Sequence, residues 1–270
     1  MLNPANSTGL LPRALLILET LAAQPEGMGL AALADELEMP RSACHRLLAE
    51  LVRCGYVRQV RAQGDYALTT KLPAIGLSYL AAAGIVDIAQ PILDRLATTS
   101  GELVRLALVD GARLTFVAKA QGARFGLRYD PDMGIDVRLS CSSGGHAWLM
   151  TLTEERAAEL VSLQGFGSPK EYGPNAPTTL KALLKLLEED RRRGFSIINE
   201  MYSPGMTAMA APVQRRNRPA IAVITIAGPL MRLTPEKMLE LGPSLLSAAG
   251  ELAMASTSSP LFAQRGIAAP

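Results

Sequence analysis

Two apolar helix faces joined by a tight turn constrain the fold of this chain more than any other sequence feature. Residues 30–37 carry apolar side chains at positions i, i+3, i+4 and i+7, and residues 44–51 repeat this spacing. The positions are Leu30, Leu33, Ala34 and Leu37 in the first face and Cys44, Leu47, Leu48 and Leu51 in the second. Met39 and Pro40 interrupt the helical pattern between the two faces. Two amphipathic helices joined in this way predict a helix-turn-helix unit.

The flanking segments predict one helix before this pair and a β-hairpin after it. Pro12 suits the first position of a helix, because proline lacks the N–H that would stay unpaired there. The apolar positions of that helix are Leu15, Leu18 and Leu21. Gly55 ends the third helix, and residues 56–68 then alternate in polarity about a turn at Gly64. The sequence therefore predicts a winged helix-turn-helix over residues 10–69.

Positive charge is concentrated where the third helix and the wing lie. The whole chain has a net charge of only +2, which is too little for a protein that coats nucleic acid without specificity. Between residues 41 and 61, however, five arginines accompany a single acidic residue, Glu50. The polar residues crowd toward the N-terminal end of the helix, the end that enters the major groove in helix-turn-helix proteins. A plain helical bundle with a solvated arginine-rich face is the alternative to DNA binding.

The predicted DNA contacts come from these two elements. They are Arg41, Ser42, His45 and Arg46 on the helix and Arg58 and Arg61 on the wing. The helix residues would reach base edges, and the wing arginines would contact phosphates.

The rest of the chain predicts a linker, an α+β domain and a tail. Residues 70–84 are rich in leucine and alanine and predict a connecting helix. Residues 85–254 combine strands with helices in mixed order, which is typical of an α+β domain. The expected strands are 103–109, 113–120, 206–213 and 220–227, and the expected helices are 86–99, 145–162, 178–193 and 235–254. Residues 255–270 show no periodicity, and we expect a disordered tail there.

Composition excludes several classes of protein. Apolar residues make up 49% of the chain, so a sizeable core is expected. The three cysteines form no CxxC pair and no zinc spacing with the two histidines, which favours a reducing compartment. The start of the chain lacks a signal-peptide pattern, and no apolar run reaches the ~18 residues of a membrane span. We therefore expect a cytoplasmic protein with no membrane segment, no bound metal and no cofactor.

The segment from Pro12 to Gln59 resembles the DNA-binding domain of the IclR family of bacterial transcriptional regulators. It reads PRALLILETLAAQPEGMGLAALADELEMPRSACHRLLAELVRCGYVRQ, and RSACHRLL is its most specific part. The resemblance continues in family order through LVRLALVDGARLTFVAKAQG, GGHAWLM, RRRGFSIINEMYSPGMTAMAAPV and AVITIAGPLMRLTPEKM. It covers about residues 10–254.

This resemblance implies a fold, a function and an assembly. The implied fold is a winged helix-turn-helix, a linker helix and a C-terminal α/β effector-binding domain related to the GAF fold. The implied function is ligand-responsive regulation of transcription on double-stranded operator DNA. The sequence itself contains no GxSxG elbow, no metal-spaced histidine cluster and no phosphate-cradling loop, so we expect no catalysis. The implied assembly is a homodimer or homotetramer on partly palindromic operators.

The chain departs from the family in the ligand-facing loop. Many relatives have a His-Ala-Thr type of sequence there, followed by Gly-Lys-Ala, whereas residues 140–147 of this chain read SCSSGGHA. Family aspartates near Ile198 and Asn199 are missing, and a family serine pair corresponds to Thr225 and Ala227. Because the chemistry of these positions has changed, no relative's effector can be transferred to this chain.

The loop Ser140–Gly145 is the first feature that predicts an effector site. Its small residues precede a helix start near Gly144, where unpaired N–H groups favour an anion. The hydroxyls of Ser142 and Ser143 would add hydrogen bonds to a carboxylate. An ordinary helix N-cap is the alternative interpretation.

Arg105 is the second feature that predicts an effector site. It interrupts the apolar strand at 103–109, and a buried arginine needs an acidic partner. That partner is either a ligand carboxylate, held by two parallel hydrogen bonds, or an internal acid such as Glu102 or Glu200.

Together these features predict that the effector is a small organic acid, and aromatic acids are among the candidates. The predicted effector contacts are Arg105, Arg128, Ser142, Ser143, Gly144, Asn199, Ala208 and Thr225, and the predicted apolar neighbours are Met206, Met209, Leu127 and Trp148. Two other functions stay open. An enzyme would use Cys141 as nucleophile beside His146, and an interaction module would use the winged helix for protein contacts.

Overall fold

A computed structural model describes residues 9–61, 64–131, 133, 137–167 and 171–255 of the chain. The chain divides into one unit that runs up to Leu80 and a second that starts at Ala81. The disordered tail predicted for residues 255–270 lies outside the described residues apart from Ala255, which ends the last helix.

The N-terminal unit has the predicted order of three helices and a β-hairpin. The helices are α1 (Leu10–Ala22), α2 (Leu30–Glu36) and α3 (Arg41–Arg53), and the strands are β1 (Val57–Gln59) and β2 (Tyr66–Leu68). The two strands pair antiparallel, with Val57 opposite Leu68. Gly55 has a φ of 76°, a left-handed conformation that glycine adopts without strain, and it turns the chain from α3 into β1.

The apolar faces predicted for α2 and α3 form the core of this unit. All four predicted positions of α3 are buried, as are Leu33 and Ala34 of α2. In α1 the prediction for Leu15 was wrong, because Leu15 is exposed whereas Ile17 is fully buried. Two residues correspond to a rotation of about 200° around a helix, so these side chains point to opposite sides. The helix also begins at Leu10, which places Pro12 within its first turn rather than at its first position.

The C-terminal unit contains one antiparallel sheet of five strands. The strands are β3 (Leu103–Asp110), β4 (Arg113–Gln121), β5 (Ser196–Asn199), β6 (Met206–Val213) and β7 (Ala222–Pro229). They lie in the order β4-β3-β7-β6-β5. The predicted pairs β3–β4 and β6–β7 are both present and antiparallel. The short edge strand β5 was missed by the sequence patterns.

The remaining helices are placed before, between and after these strands. They are α4 (Lys71–Ala82), α5 (Ile85–Ser100), α6 (Ser143–Leu149), α7 (Glu154–Gln164), α8 (Leu180–Arg193) and α9 (Pro235–Ala255). The single helix predicted for 145–162 was wrong, because Thr153 caps a new helix through a hydrogen bond from the Arg156 N–H. Among the described residues, no single helix is long and apolar enough to cross a membrane.

Helices cover both faces of the sheet, and successive residues of β3 therefore enter different cores. Val104 and Leu106 pack with α5 and α9 on one face, whereas Ala107 packs with α6, α7 and α8 on the other. Arg105 alternates with Val104 and Leu106 and so projects to the same face as Ala107. This face carries the candidate ligand site.

Candidate functional site

The helix α3 presents the predicted DNA-reading residues on the side opposite its buried stripe. Arg41, Ser42, His45 and Arg46 are all exposed, and they lie in the first two turns of the helix. Arg53, in the last turn, pairs with Glu50 at 2.6 Å, and Arg41 lies 3.9 Å from Asp35. No described acidic side chain forms an ion pair with Arg46, so its charge is available in the first two turns of the helix.

The wing carries the other two predicted arginines. Arg58 projects to solvent from β1 while its neighbour Val57 is buried, as strand alternation requires. Arg61 is exposed just after β1, whereas the predicted wing tip at Ala62 and Gln63 lies outside the described residues. No described acidic side chain forms an ion pair with Arg58 or Arg61. Both guanidinium groups are therefore available to phosphates.

Lys71 was missed by the sequence analysis, although it connects the end of α3 with the wing. Its Nζ donates to the Cys54 carbonyl at 2.7 Å and lies 4.7 Å from the centre of the Tyr56 ring. The hydroxyl of Thr69 also donates to the Gly55 carbonyl at 2.6 Å. These contacts fix the angle at which the wing leaves α3.

A cavity of about 550 Å³, counting the part open to solvent, lies on the Arg105 face of the sheet. The predicted residues that line it are Arg105, Ser142, Ser143, Gly144, Met206 and Ala208. Ile198 and Ala227, which the resemblance placed at ligand-facing positions, also line it. The lining residues that the sequence analysis missed are Phe116, Tyr129, Pro131, Val137, Tyr202 and Thr207. Strand alternation could have identified Phe116, which shares a face with Arg105.

Arg105 is buried in this cavity, and no described acidic side chain forms an ion pair with it. Arg105 is 8% exposed, and its guanidinium carbon lies 3.7 Å from the centre of the Phe116 ring. Its Nε is enclosed and has no hydrogen-bond partner among the described residues. Burial lowers the pKa of the Arg105 guanidinium from its ordinary value, an effect opposed by Tyr129, Tyr202 and Asp130.

Both internal acids that could have paired with Arg105 are engaged elsewhere. Glu102 accepts two hydrogen bonds from Arg232, at 2.6 and 2.8 Å. Glu200 accepts one from the Gly205 N–H at 2.8 Å. Neither Glu102 nor Glu200 therefore pairs with Arg105. The other partner predicted for Arg105 is a ligand carboxylate.

The loop before α6 has the geometry of an ordinary N-cap. The Ser142 hydroxyl accepts from the Gly145 N–H at 3.0 Å and donates to the Arg138 carbonyl. A Cβ at position 145 would lie 2.4 Å from the Leu139 carbonyl oxygen, so glycine is needed where these backbones meet. The Ser142 side chain is therefore committed to the helix, and it is the loop surface that lines the cavity.

Several predicted ligand contacts lie elsewhere. Arg128 is exposed and donates to the Arg124 carbonyl at 2.9 Å. Asn199 does not line the cavity, and Thr225 lies beside Arg105 on β7, with its hydroxyl buried, but is not part of the wall. Of the apolar neighbours predicted, Leu127 is 63% exposed and Trp148 belongs to the core with α7 and α8.

The prediction that Met209 is an apolar neighbour of the ligand was also wrong, and strand alternation in the sequence could have excluded it. It lies next to Ala208 in β6, and neighbouring residues of a strand project to opposite faces. Ala208 lines the cavity, whereas Met209 is fully buried in the core with α5 and α9.

Cys141 and His146 do not form a nucleophile–base pair. The His146 Nδ1 lies 3.3 Å from Asp190 Oδ2, and its Nε2 lies 2.9 Å from the Ser140 carbonyl oxygen. Burial raises the pKa of the Cys141 thiol to about 12, so the thiol stays protonated at neutral pH. Asp190 was not recognised from the sequence, where it ends an ordinary charged helix.

Comparison with known proteins matches both units. Residues 10–61 match the IclR helix-turn-helix domain, and residues 77–254 match the bacterial transcriptional regulator IclR C-terminal domain. The transcriptional repressor IclR of Escherichia coli (strain K12) is 30% identical over 91% of this chain and 89% of its own length. The IclR structure of Thermotoga maritima has a TM-score of 0.70 at 25% identity, covering 90% of this chain and 97% of that chain.

A further solved structure has the same fold and a bound ligand. It is an IclR homologue of Microbacterium hydrocarbonoxydans complexed with 4-hydroxybenzoate, with a TM-score of 0.76 at 21% identity. The alignment covers 93% of this chain and 100% of that chain.

The domain matches follow the order of the two units in the chain. The helix-turn-helix match contains α1, α2 and α3, and the C-terminal match contains the whole sheet and α9 through Met254. The match to the Escherichia coli repressor extends over both. This chain therefore belongs to the IclR family of bacterial transcriptional regulators and carries the helix-turn-helix domain of that family.

Proposed function

We propose that α3 and the wing bind double-stranded operator DNA and that a small organic acid in the Arg105 cavity changes this binding. The observation that carries the effector assignment is Arg105, which pairs with no described acidic side chain inside an otherwise mostly apolar cavity. A buried guanidinium without an acid is costly, and a ligand carboxylate supplies the missing partner. We assign DNA binding to residues 10–69, the linker to residues 70–84 and effector binding to residues 85–254.

The walls of the cavity also suit an acid with an apolar body. Phe116, Val137, Ile198 and Met206 provide apolar surface around the guanidinium. A relative with the same fold was crystallised with 4-hydroxybenzoate, a compound of this kind. An aromatic or aliphatic monoacid of similar size thus fits both the charge and the surface of this site.

Calorimetric titration with matched acids and amides tests the effector assignment. We use 4-hydroxybenzoate, butanoate and pyruvate beside their amides, and we expect at least one acid to bind while its amide does not. Arg105→Met should reduce that binding by roughly 10- to 100-fold, because charge-assisted hydrogen bonds contribute about 1.5–3 kcal/mol. Arg128→Met removes an exposed arginine outside the cavity and should bind like the wild type.

We also propose that the chain is not an enzyme. Mass spectrometry after incubation with the acid should therefore recover the acid unchanged.

Two outcomes contradict this proposal. If no acid binds the wild-type protein, the organic-acid class is wrong. If an acid binds and Arg105→Met retains both its affinity and its preference over the amide, Arg105 is not the anchor.

We also propose that the arginines of α3 and the wing act differently on DNA. Arg58→Ala should weaken binding to operator and to unrelated DNA alike, and should lower the salt slope of log K by about 0.9, the value for one phosphate contact. Arg46→Ala should weaken operator binding selectively by about 1–3 kcal/mol, as expected for a base contact. Gel-shift titrations over a range of salt concentrations, with the DNA upstream of the gene itself, measure both effects.

A matched control separates these effects from a general loss of charge. Arg218→Ala removes an exposed arginine from the connection between β6 and β7 and should leave both affinities unchanged. Wild-type operator binding by both Arg46→Ala and Arg58→Ala would show that DNA is read elsewhere.

We propose that the chain acts as a homodimer, or as a dimer of dimers. Recognition helices must reach half-sites about 34 Å apart, which one winged helix cannot do. Two helices of the N-terminal unit carry exposed apolar side chains that a second copy would cover. They are Leu10, Leu11 and Leu15 on α1 and Leu72, Ile75, Leu77 and Tyr79 on α4.

A further inference from the structure

The helix α3 ends in a Schellman motif. The Gly55 N–H donates to the Val52 carbonyl at 2.9 Å, and the Tyr56 N–H donates to the Leu51 carbonyl at 2.9 Å. These two bonds, together with the left-handed φ of Gly55, define the motif. The carbonyls of Cys54, Gly55 and Tyr56 follow at the end of the helix, where carbonyl groups lack donors from the helix itself.

Thr69 and Lys71, which flank the start of α4, donate to all three of these carbonyls. The Lys71 Nζ donates to the Cys54 carbonyl at 2.7 Å. The Thr69 hydroxyl donates to the Gly55 carbonyl at 2.6 Å, and the Thr69 N–H donates to the Tyr56 carbonyl at 2.9 Å. The Lys71 N–H in turn donates to the Thr69 hydroxyl oxygen at 3.2 Å. The first turn of α4 is therefore bonded directly to the end of α3.

The charge of Lys71 adds to this connection. Its ammonium group lies at the C-terminal end of α3, where the helix dipole is negative, and 4.7 Å from the centre of the Tyr56 ring. Because Lys71 is exposed, each of these contacts is weak by itself. Together with the bonds from Thr69 they join the two helices at several points, and a joint of this kind resists rotation.

Recognition of a two-fold operator depends on the geometry between two copies of α3. Half-sites lie about 34 Å apart, and one inserted base pair moves a half-site by ~3.4 Å and rotates it by roughly 35° around the DNA axis. When two copies pair through α4, the position of each α3 relative to its own α4 decides which spacing both can reach. A loose joint between α3 and α4 would accept several spacings, whereas a rigid joint selects one.

We infer that Thr69 and Lys71 are positioning residues that set the spacing between the operator half-sites. They act through the position of α3 and contact no base in this role. The inference rests on the proposed function, because it assumes that α3 reads DNA and that two copies pair through α4. It adds a determinant of operator architecture that is separate from base reading by Arg46.

Operators with different spacings test the inference. The full-length protein first selects its binding sequence from random-sequence duplex DNA. Gel-shift titrations then compare the selected operator with versions that carry one or two extra base pairs between the half-sites, and with a single half-site. Each insertion should weaken wild-type binding by at least about tenfold, since linking two contacts contributes about 10²–10⁴ and is lost when both cannot be reached.

A double variant removes the two side-chain donors. Thr69→Val with Lys71→Met keeps similar shapes and lacks the hydroxyl and the ammonium group. This protein should bind the single half-site like the wild type, while its loss on insertion should fall below about threefold, because a loose joint lets both contacts form. Thr69→Ser with Lys71→Arg restores both donors and should recover the wild-type preference.

A matched control removes the same two groups elsewhere. Thr98→Val with Lys237→Met takes one hydroxyl and one ammonium group from exposed positions in the C-terminal unit. This control should keep the spacing preference of the wild type.

The possible results separate this inference from the proposal on which it rests. If the wild type selects no DNA or is a monomer by light scattering, the proposed DNA binding or pairing fails, and the spacing rule fails with it. A dimeric wild type without a spacing preference, or a double variant that keeps the wild-type preference, overturns the inference and leaves DNA reading by α3 standing. Equal losses on the half-site and on every operator also overturn it, because they indicate a general structural role. If the double variant does not fold, the exposed single variant Lys71→Met decides, and an unchanged preference in it overturns the inference.

Discussion

Replacing Asp190 with alanine should destabilise the C-terminal unit by about 1–3 kcal/mol, the cost of leaving a buried polar group without its hydrogen-bond partner. The Asp190 carboxylate is buried and accepts from three groups. It contacts His146 Nδ1 at 3.3 Å, the Arg193 guanidinium at 2.9 Å and the Ile197 N–H at 3.3 Å. Alanine would leave His146 Nδ1 and the Ile197 N–H without this acceptor, whereas Arg193 keeps its hydrogen bond to the Phe195 carbonyl at 3.2 Å. His146 is fully buried, so water cannot take the place of the carboxylate there.

The loss should extend to the ligand cavity. His146 Nε2 faces the Ser140 carbonyl, two residues before Ser142 in the cavity wall. Asp190 and the Ser140 carbonyl thus contact the imidazole on its two sides. Without Asp190 the imidazole loses one of these two contacts, and we expect the loop at 140–142 to lose its fixed position.

Urea unfolding, followed by circular dichroism, measures the effect. Glu188→Ala is the matched control, because Glu188 lies on the same helix, is exposed and forms no ion pair with a described residue. Its free energy of unfolding should stay within about 0.5 kcal/mol of the wild type. An Asp190→Ala variant that stays within 1 kcal/mol of the wild type would show that the network contributes little.

The predicted parts of the fold were those in which a local pattern determines burial. The spacing of Cys44, Leu47, Leu48 and Leu51 can bury only one side of a helix, and that side is the core of the N-terminal unit. The hairpin β3–β4 was found because apolar runs flank a short turn at Gly111. In both cases residues close together in the sequence are sufficient to predict the element and its buried side.

The features that were missed depend on contacts between distant segments. The edge strand β5 has four residues and gains its pairing from β6, so its own sequence holds too little periodicity to reveal it. Asp190 and His146 are 44 residues apart, and their contact follows from the packing of α6 against α8. Tyr129 reaches the cavity from an irregular segment, for which no periodic rule gives a direction.

Arg105 illustrates what sequence can and cannot decide. An arginine within an apolar strand predicts a buried charge, and the structure confirms the burial. The choice between an internal acid and a ligand could not be made from the sequence. It required the position of Glu102, whose carboxylate is turned toward Arg232.

Replacing Leu77 with glutamate should dissociate the dimer and lower operator affinity by at least about 100-fold. Leu77 is 67% exposed on α4, a helix that has no buried residue and carries apolar side chains on several sides. An apolar helix without a covering partner marks an interaction site, and burying a glutamate in such an interface is costly. Linking two weak half-site contacts raises affinity by about 10²–10⁴, so a monomer loses that factor.

Light scattering at micromolar concentration and gel-shift titration report the two effects separately. Leu163→Glu is the matched control, because Leu163 is 71% exposed on α7 of the C-terminal unit. It should change neither the mass nor the affinity. A Leu77→Glu protein that keeps the wild-type mass would exclude α4 as the dimer contact. A monomer that still binds a two-half-site operator with wild-type affinity would show that dimerisation is not how this protein spans its operator.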